Sequence, residues 1–581
     1  MKLLTVIPRT ILPLAAPPTF TYFFPHALPA GSFVFVPVQR RMVPGLVLKV
    51  EELAREREAL RRARFQLKPA GKVITAEPLL RPWQIQLMLW LAEYYAVSPA
   101  LALKTVVPEF ALKIRPVAAH DVPPQTLHLF PEHSGETTKS RQLWEKTQSG
   151  ELSEIIGTRS AVFAPFANLK RIIIEEEENS AYKSWDASPR YDARTVARKL
   201  AELWGATIEV RSETPRAETW LTVKSKFQSV NSKTAELTAP RIVDMREELK
   251  KGNYSPISDT LSEALRKTLT AKKQAFLFFN RKGVSTALIC RDCGYVHSCP
   301  ECSANLILHK NVRLGNAGKT SEALICHHCA HVEEPPLVCP KCRSPRLKYF
   351  GSGVEKIVAE LERRFPEARV AQLDAEVGRE KEIRTFVEFQ NKKIDILVGT
   401  QFALKSLLPP VALAAAVAVD PMLFFPDVYS SERVFQILWR LRRIALETFL
   451  IQTYNPDLPL FLHLAEESPA SFYREELEVR KALGYPPFRR ITRLTVAHRD
   501  PRRASEEAKQ AASELRFQVS RAKLPIEILG PAPAFVAKEK GLYRWNILLK
   551  EGRSLDLARR NDLLAMLGKG WIIDVEPVET L

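Results

Sequence analysis

The stretch CRDCGYVHSCPECSANLILHKNVRLGNAGKTSEALICHHCAHVEEPPLVCPKC (290–342) holds all eight cysteines of the chain. They form four CxxC pairs: Cys290/Cys293, Cys299/Cys302, Cys326/Cys329 and Cys339/Cys342. Two residues between thiolates let a tight turn aim both sulfurs at one ion, and two such turns complete a tetrahedral Zn²⁺ site. Eight ligands make two closed sites with no open position for catalysis. Disulfides are disfavoured where thiols stay reduced, and four dithiols in one short segment do not look like a single redox centre. Spacing leaves open which pairs share an ion. His297, His309, His327, His328 and His331 lie nearby, but the cysteines already saturate two sites. These histidines read as surface groups or as neighbours of the ligands.

Outward from this module the chain alternates strand and helix. Arg171–Ile174, Thr207–Val210, Gln274–Asn280, Ile394–Gly399 and Val411–Val419 read as strands. Arg194–Trp204, Ile257–Leu269 and Val354–Phe365 read as helices. Such alternation implies parallel α/β sheets, and the cysteine module interrupts the series like an insertion. Towards the N-terminus, Ser32–Pro37 and Val43–Val50 read as short strands joined by a basic run, Pro82–Val97 as a helix and Thr126–Pro131 as a strand. Towards the C-terminus, Ala465–Leu483 and Pro501–Ala522 read as helices, followed by short strands.

The 581 residues suffice for roughly three to five domains of ordinary size. With 46% hydrophobic and 26% charged residues, disorder is not the expectation. Lys and Arg total 85 against 66 Asp and Glu, a formal charge of +19 spread along the chain. That excess favours a polyanionic partner, usually nucleic acid, over a merely soluble basic protein. Pro8 and Arg9 interrupt the apolar start, against a signal peptide. The best spanning candidate, Leu407–Phe425, contains Pro409, Pro410, Asp420 and Pro421, against a membrane helix. A cytoplasmic protein with no membrane partner is expected.

Several segments, taken in order, carry a family resemblance. They are TFTYFFP (19–25), IIGTRSAVFAPFANL (155–169), SAYKSWDASPRYDARTVA (180–197), FFNRKG (278–283), GSGVEK, ILVGTQ, FPDVYSSERVFQIL, IQTYNP, LGYPPF and LGPAPA. With the eight-cysteine insertion, they resemble the PriA (primosomal protein N′) family of replication-restart DNA helicases over nearly the whole chain. The resemblance implies a multidomain α/β fold. Two RecA-like helicase lobes, the first truncated, would carry a zinc-binding module inserted in the second, between an N-terminal β-rich DNA-binding domain and a C-terminal α+β domain. The expected boundaries are 1–108 for a DNA 3′-end-binding-like domain, 109–141 for a shortened linker and start of lobe 1, and 142–240 for truncated lobe 1. Lobe 2 would occupy 241–460 with the zinc module at 287–346, and the C-terminal domain 461–581. The resemblance also implies that Cys290, Cys293, Cys339 and Cys342 share one zinc ion, and Cys299, Cys302, Cys326 and Cys329 the other.

The departures from the family bear on catalysis. A phosphate loop needs GxxxxGK[ST] between strand and helix, so that backbone N–H groups cradle phosphates and the hydroxyl holds Mg²⁺. The motif does not occur. Gly318-Lys319-Thr320 has Arg313 where its first glycine belongs and lies inside the cysteine module. LHLFPEHSG (127–135) splices one strand onto a later segment where the loop is expected. Glu175–Glu178 stands in place of DEEH, so Glu175 replaces the Mg²⁺-ordering Asp. RSETP (211–215) replaces GSATP, and ALKS (403–406) keeps Lys405 with Ser406 in the glycine position. WRLRRIALE (439–447) replaces QVAGRAGR, with Arg440 at the Gln and Ile444 at the first Arg. Glu175, Glu176 and Lys405 are remnants of a site expected to work without ATP or Mg²⁺. Arg440, Arg442 and Arg443 read as a basic surface or a plain solvated helix face.

Single-strand binding combines cations along the phosphates with aromatics on which bases stack. The loop residues Tyr182, Lys183, Trp185, Arg190, Tyr191 and Arg194 have that composition; they read equally as a DNA contact, as the resemblance implies for a loop that senses single-stranded DNA, and as a surface loop whose aromatics pack on their own sheet. Tyr22, Arg40 and Arg41 are candidates by position in the N-terminal domain, although Tyr22 also suits a core. The expected function is binding of branched DNA at stalled forks, with replication-restart or primosome proteins as partners and without ATP-driven unwinding. The competing readings are an active 3′–5′ DNA helicase with a non-standard nucleotide site, and a structural zinc protein on RNA.

Overall fold

The computed structural model describes residues 1–52, 67–114, 122–132, 141–222, 237–279, 288–301, 305–313, 320–327, 329–349, 354–373, 379–405, 408–466 and 468–580. Parts of FFNRKG, GSGVEK, LHLFPEHSG and the GKT tripeptide lie outside these residues, as do Cys302, His328 and the side chain of Lys405.

The N-terminal runs of aromatic and β-branched residues form β1 (Lys2–Pro8), β2 (Phe20–Phe24), β3 (Phe33–Val38), β4 (Arg41–Glu52), β5 (Lys68–Pro69) and β6 (Val73–Thr75), in the order β5-β2-β1-β4-β3-β6. Alternation buries Leu4, Val6, Tyr22, Val34, Val36 and Val47 in one cluster. Gly45 is required there, because an added Cβ would come within 2.4 Å of Val6. The helix expected to reach Val97 ends at Tyr94, where Ala96 takes a left-handed φ of 50°. Ser98 then caps a second helix, Pro99–Val106, by accepting from the Leu101 N–H.

The first α/β sheet contains β7 (Gln125–Leu129), β8 (Glu154–Gly157), β9 (Leu169–Glu175) and β10 (Thr207–Arg211), all parallel, in the order β10-β9-β7-β8. Leu127, Leu129, Ile155, Ile172 and Ile174 face one side and pack with Leu87 and Leu91 of the preceding helix into a shared core. Parallel sheets are usually apolar on both faces. Here the opposite face carries His128, Arg171, Glu175, Glu209 and Arg211. His128 Nε2 lies 2.7 Å from Glu175, Arg211 bonds Glu175 and Glu209 at 2.8 and 2.7 Å, and Arg171 bonds Glu209. Ion pairs, with Ile173 among them, form the described part of this face.

The central strands of the second sheet are buried on both faces, as in a doubly wound sheet. β11 (Pro240–Asp244) and β12 (Ala275–Phe279) precede the cysteine module, which comprises β13 (Leu288–Cys290), β14 (Ile307–Arg313), β15 (Thr320–Ile325), β16 (Val332–Glu333) and β17 (Leu347–Tyr349). β18 (Val370–Leu373), β19 (Ile396–Gly399), β20 (Val411–Ala418) and β21 (Ala445–Thr453) complete the parallel order β11-β21-β20-β12-β19-β18. Along β20, Ala414 and Ala416 enter the core on one face and Leu413, Ala415 and Val417 the core on the other. Its small residues let helices approach from both sides. Of the helix expected over Ala465–Leu483, Ala470–Leu483 is helical, with Pro469 at its N-cap, while Ala465 closes a separate helix, Pro459–Ala465, whose C-cap Glu466 is extended.

The C-terminal sheet, β22 (Arg489–His498), β23 (Ile526–Glu539), β24 (Leu542–Gly552) and β25 (Ile572–Val575), is antiparallel in the order β23-β24-β22-β25. The helix Pro501–Arg521, capped by Asp500, covers it through Ala512 and Leu515. Among the described residues no helix is long and apolar enough to cross a membrane.

The two α/β lobes meet around Arg480, which is 1% exposed. Its guanidinium bonds Glu432 and, at 2.7 Å, Glu476, and lies 3.5 Å from Glu218 of the helix Ala217–Thr222, which connects the two sheets. Removing one partner of a buried pair strands the other charge. Arg480→Ala should therefore destabilise the lobe junction by about 3–5 kcal/mol, read as a lowered midpoint in urea unfolding. An unchanged midpoint would show that the cluster does not hold the junction.

Candidate metal centres and nucleic-acid interface

Three of the CxxC pairs sit on the same turn. After each leading cysteine the residue four positions on returns its N–H to that cysteine's carbonyl: Gly294 to Cys290 at 2.9 Å, Ala330 to Cys326 at 3.0 Å and Arg343 to Cys339 at 2.9 Å. The cysteine N–H in turn donates to the carbonyl five positions on, Tyr295, His331 or Ser344, each at 2.8 Å. Gly294, Ala330 and Arg343 all adopt left-handed φ values, 73°, 64° and 62°. The turn requires this reversal, and only the first position has the glycine that makes it easy.

These turns bring the sulfurs of Cys290, Cys293, Cys339 and Cys342 within 4.8 Å of one another, and likewise those of Cys299, Cys326 and Cys329. Cys290 and Cys342 are 3.6 Å apart, Cys293 and Cys339 3.7 Å, and Cys299 and Cys329 3.5 Å. A disulfide would be about 2.05 Å. A tetrahedron with metal–sulfur bonds of about 2.3 Å has sulfur–sulfur edges of about 3.8 Å. Two groups of cysteines can therefore hold metal ions. Burial pushes the Cys290 thiol up to about 12, against the Cys293 and Asp292 amides that favour its thiolate. A metal here must displace a proton.

The histidines brace the module. His327 is buried and donates through Nδ1 to the Pro533 carbonyl at 2.7 Å, while its Nε2 meets His309 Nε2 at 2.9 Å. His297 and His331 share Glu333. Asn305 donates to the Phe424 carbonyl at 2.8 Å. The module is thereby tied to both the C-terminal domain and lobe 2.

The four-glutamate run is not a solvated strand end. Glu175 is held by His128 and Arg211. Glu176, with a left-handed φ of 43°, lies 3.3 Å from Arg440. Glu177 is buried and accepts from Arg216 Nε at 3.0 Å and Thr219 Oγ1 at 2.7 Å. Glu178 accepts from Ser212 and, at 3.1 Å, from Arg440. The arginines expected as a basic or solvated face are likewise engaged. Arg442 is buried and donates to the Leu464 and Thr238 carbonyls, and Arg443 lies 3.0 Å from Glu213. The helix is packed on more than one side, so Arg440 and Arg443 meet acids on one face while Arg442, about 200° round from Arg440, meets carbonyls on another.

The aromatic-basic loop is also largely internal, which corrects its grouping as a DNA face. Lys183 is 1% exposed and contacts Asp574 of β25 at 3.0 Å. Arg190 reaches the same carboxylate at 3.5 Å. Arg194 is buried and bonds Asp192 at 2.9 and 2.7 Å. Burial pushes the Asp192 carboxyl up, but Arg194 and Arg216 outweigh it and hold it far below the usual carboxylate range. Tyr191 is buried and donates to the Arg159 carbonyl, and Tyr22 is a core residue donating to the Pro37 carbonyl. Trp185 remains 66% exposed at the loop tip. Arg40 and Arg41 are exposed at the β3–β4 hairpin, where Gln39 supplies the left-handed turn residue. Asp574, Glu213 and Glu432 were not singled out in the sequence. Each is one acid in a charged chain, distinguished by burial and a distant partner.

A mostly antiparallel N-terminal sheet, two parallel α/β sheets, an inserted cysteine module and a C-terminal α+β unit define a multidomain α/β protein. Residues 9–108 match the 3′ DNA-binding domain of PriA, and residues 481–578 match the primosomal protein N C-terminal domain. The chain is 37% identical to the replication restart protein PriA of Synechocystis sp. over 72% of its own length and 52% of that protein. It is 33% identical to that of Bacillus subtilis over 73% and 53%, and 30% identical to that of Borreliella burgdorferi over 80% and 69%. It belongs to the PriA family. The match spans about half the length of the first two relatives. Among solved structures, the DUF1998 helicase MrfA bound to DNA overlays 68% of this chain and 51% of its own at 12% identity, with a TM-score of 0.30, too distant to add to the assignment.

The Lys183–Asp574 contact predicts strong coupling between the loop and the C-terminal domain. Asp574→Asn alone should destabilise the protein by about 3 kcal/mol, since it leaves Lys183 buried without a counter-charge. The double variant Lys183→Met, Asp574→Asn should lose markedly less than the sum of the singles. Additive losses in a double-mutant cycle would show no coupling.

Proposed function

We propose that this protein binds forked or gapped DNA with a free 3′ end during replication restart in the cytoplasm, without ATP-driven unwinding, and recruits other restart proteins there. The match of residues 9–108 to a 3′ DNA-binding domain carries the reading. The exposed Arg40 and Arg41 on that domain, the exposed Trp185 indole and the +19 charge support it. Arg40 and Arg41 contact phosphate, and Trp185 offers a face on which a base stacks. The acids standing where the family holds a nucleotide argue for binding without hydrolysis. They neutralise Arg440 and Arg216 instead of ordering Mg²⁺.

The metal we assign is zinc, two ions per chain. Soft thiolates in tetrahedral array select zinc among the common divalent ions. Cys290, Cys293, Cys339 and Cys342 hold the first, and Cys299, Cys326 and Cys329 with Cys302 the second. Closed sites of this kind contribute folding energy directly.

Fork-binding measurements test the main reading. Affinity should favour a fork with a 3′ end over blunt duplex and fall with salt at a log–log slope of roughly −3 to −7, for about 4–8 phosphate contacts. Arg40→Ala with Arg41→Ala should weaken all DNAs and flatten that slope, whereas Trp185→Ala should cost about 1–3 kcal/mol on single-stranded or forked DNA alone. ATP turnover with forked DNA should not exceed a buffer blank. Equal affinity for forks, blunt duplex and heparin would remove the fork-binding role, and tighter binding to structured RNA would favour the RNA reading. Turnover near the roughly 1–100 s⁻¹ of phosphoryl-transfer enzymes would restore the helicase reading.

Elemental analysis of chelator-free protein should find about two zinc ions per chain, as four thiolates per ion require. Cys339→Ser should lower that count and destabilise the module. One ion or none in the wild-type protein would refute the assignment.

A further inference from the structure

We propose that the helix Ser430–Ile444 is an ionic latch that holds the two α/β lobes in one closed arrangement with no nucleotide between them. This goes beyond fork binding, because it concerns how the lobes move and does not depend on which nucleic acid the protein takes.

One stripe of the helix makes the contact. Glu432, Gln436, Arg440 and Arg443 follow at steps of four, four and three residues, which places them on a single face, and Trp439 stands beside them. Gln436, Trp439, Arg440 and Arg443 meet the first lobe, and Glu432 meets the helix Ala217–Thr222, which leaves that lobe and packs against the lobe 2 core. Glu432 accepts the Ala217 N–H at 2.9 Å, and Gln436 donates to the Thr214 carbonyl at 3.1 Å. Trp439 Nε1 donates to Glu213 at 3.2 Å, and Arg443 meets the same carboxylate at 3.0 Å. Arg440 bridges Glu178 at 3.1 Å and Glu176 at 3.3 Å. The lower end of the stripe is anchored by Arg480, and Trp220 of the connecting helix Ala217–Thr222 stacks on Tyr473 of the lobe 2 core at 4.7 Å.

The residues that form the latch stand where the resemblance places nucleotide motifs. Glu176 keeps a Glu of DEEH and Glu178 replaces its His, Glu213 lies within the replaced GSATP, and Arg440 lies within the replaced QVAGRAGR. In a cycling motor such positions face a phosphate and separate when it leaves. Here they carry opposite charges and satisfy one another directly. Glu176 reaches Arg440 from a left-handed backbone that a non-glycine residue rarely adopts. A cavity of about 380 Å³ lies alongside, with Arg440 and Glu178 on its wall. An exposed ion pair alone contributes little. The latch gains strength because its pairs share one rigid helix and end on a buried arginine.

Pulsed dipolar spectroscopy on the full chain tests this. Spin labels go on non-canonical amino acids replacing Lys170 in lobe 1 and Lys267 in lobe 2, both exposed, so that the cysteines stay untouched. The wild-type distance distribution should be single and narrow, and unchanged by ATP with Mg²⁺. R440E with R443E should broaden it at least two-fold, and E178R added to R440E should narrow it again. Should R440E/R443E fail to fold by circular dichroism, R440Q replaces it, broadening as salt rises to about 1 M, where the screening length falls to about 3 Å. A broad wild-type distribution, a shift with ATP and Mg²⁺, or latch variants that stay narrow would each overturn the proposal. Fork affinity measured on the same samples is a separate readout, so loss of the latch and loss of fork binding are distinguishable.

Discussion

The junction between the two lobes depends on a charge that has nowhere else to go. Arg480 is buried among Glu432, Glu476 and Glu218, and its desolvation is offset only while all three elements stay in place. Glu432 begins the stripe that faces lobe 1, and Tyr473, on the same helix as Arg480, lies in the lobe 2 core and donates to the Pro215 carbonyl. One buried guanidinium therefore couples three helices at the junction. The C-terminal domain is fixed to them in the same way, through Asp574 beneath Lys183, Arg190 and Arg493.

The two lobes solve the parallel-sheet problem differently. Lobe 2 buries both faces, and its central strand is nearly all small residues because helices close from either side. Lobe 1 buries one face against the helices that follow the N-terminal sheet and finishes the described part of the other with ion pairs. The shortened lobe thus has its own chemistry and shares a continuous core with the DNA-binding domain.

The cysteine module shows local and long-range determination meeting. Each turn is fixed by its own hydrogen bonds and by a left-handed residue, so a CxxC pair is nearly complete on its own. Closing four sulfurs into one site requires Cys290 and Cys339 to be brought together across the pairing of β13 with β17. The ligand set is a property of the fold, while the ligand chemistry is a property of the motif.

The sequence by itself determined the strand–helix alternation, the cysteine spacing, the absence of a phosphate loop and the family, because each is written in neighbouring residues. The start of the helix Ala470–Leu483 after Pro469 was equally local. Only the tertiary structure decided that Lys183 and Arg194 are internal while Trp185 is exposed, and that Glu175–Glu178 bind arginines. Composition could not separate these residues, since a loop of aromatics and cations reads alike whether it faces DNA or a buried carboxylate. The choice rests on Asp574, Asp192 and Arg440, whose positions are set by packing between domains. A charge becomes structural or available according to whether folding brings its opposite within a few ångströms and removes the water between them.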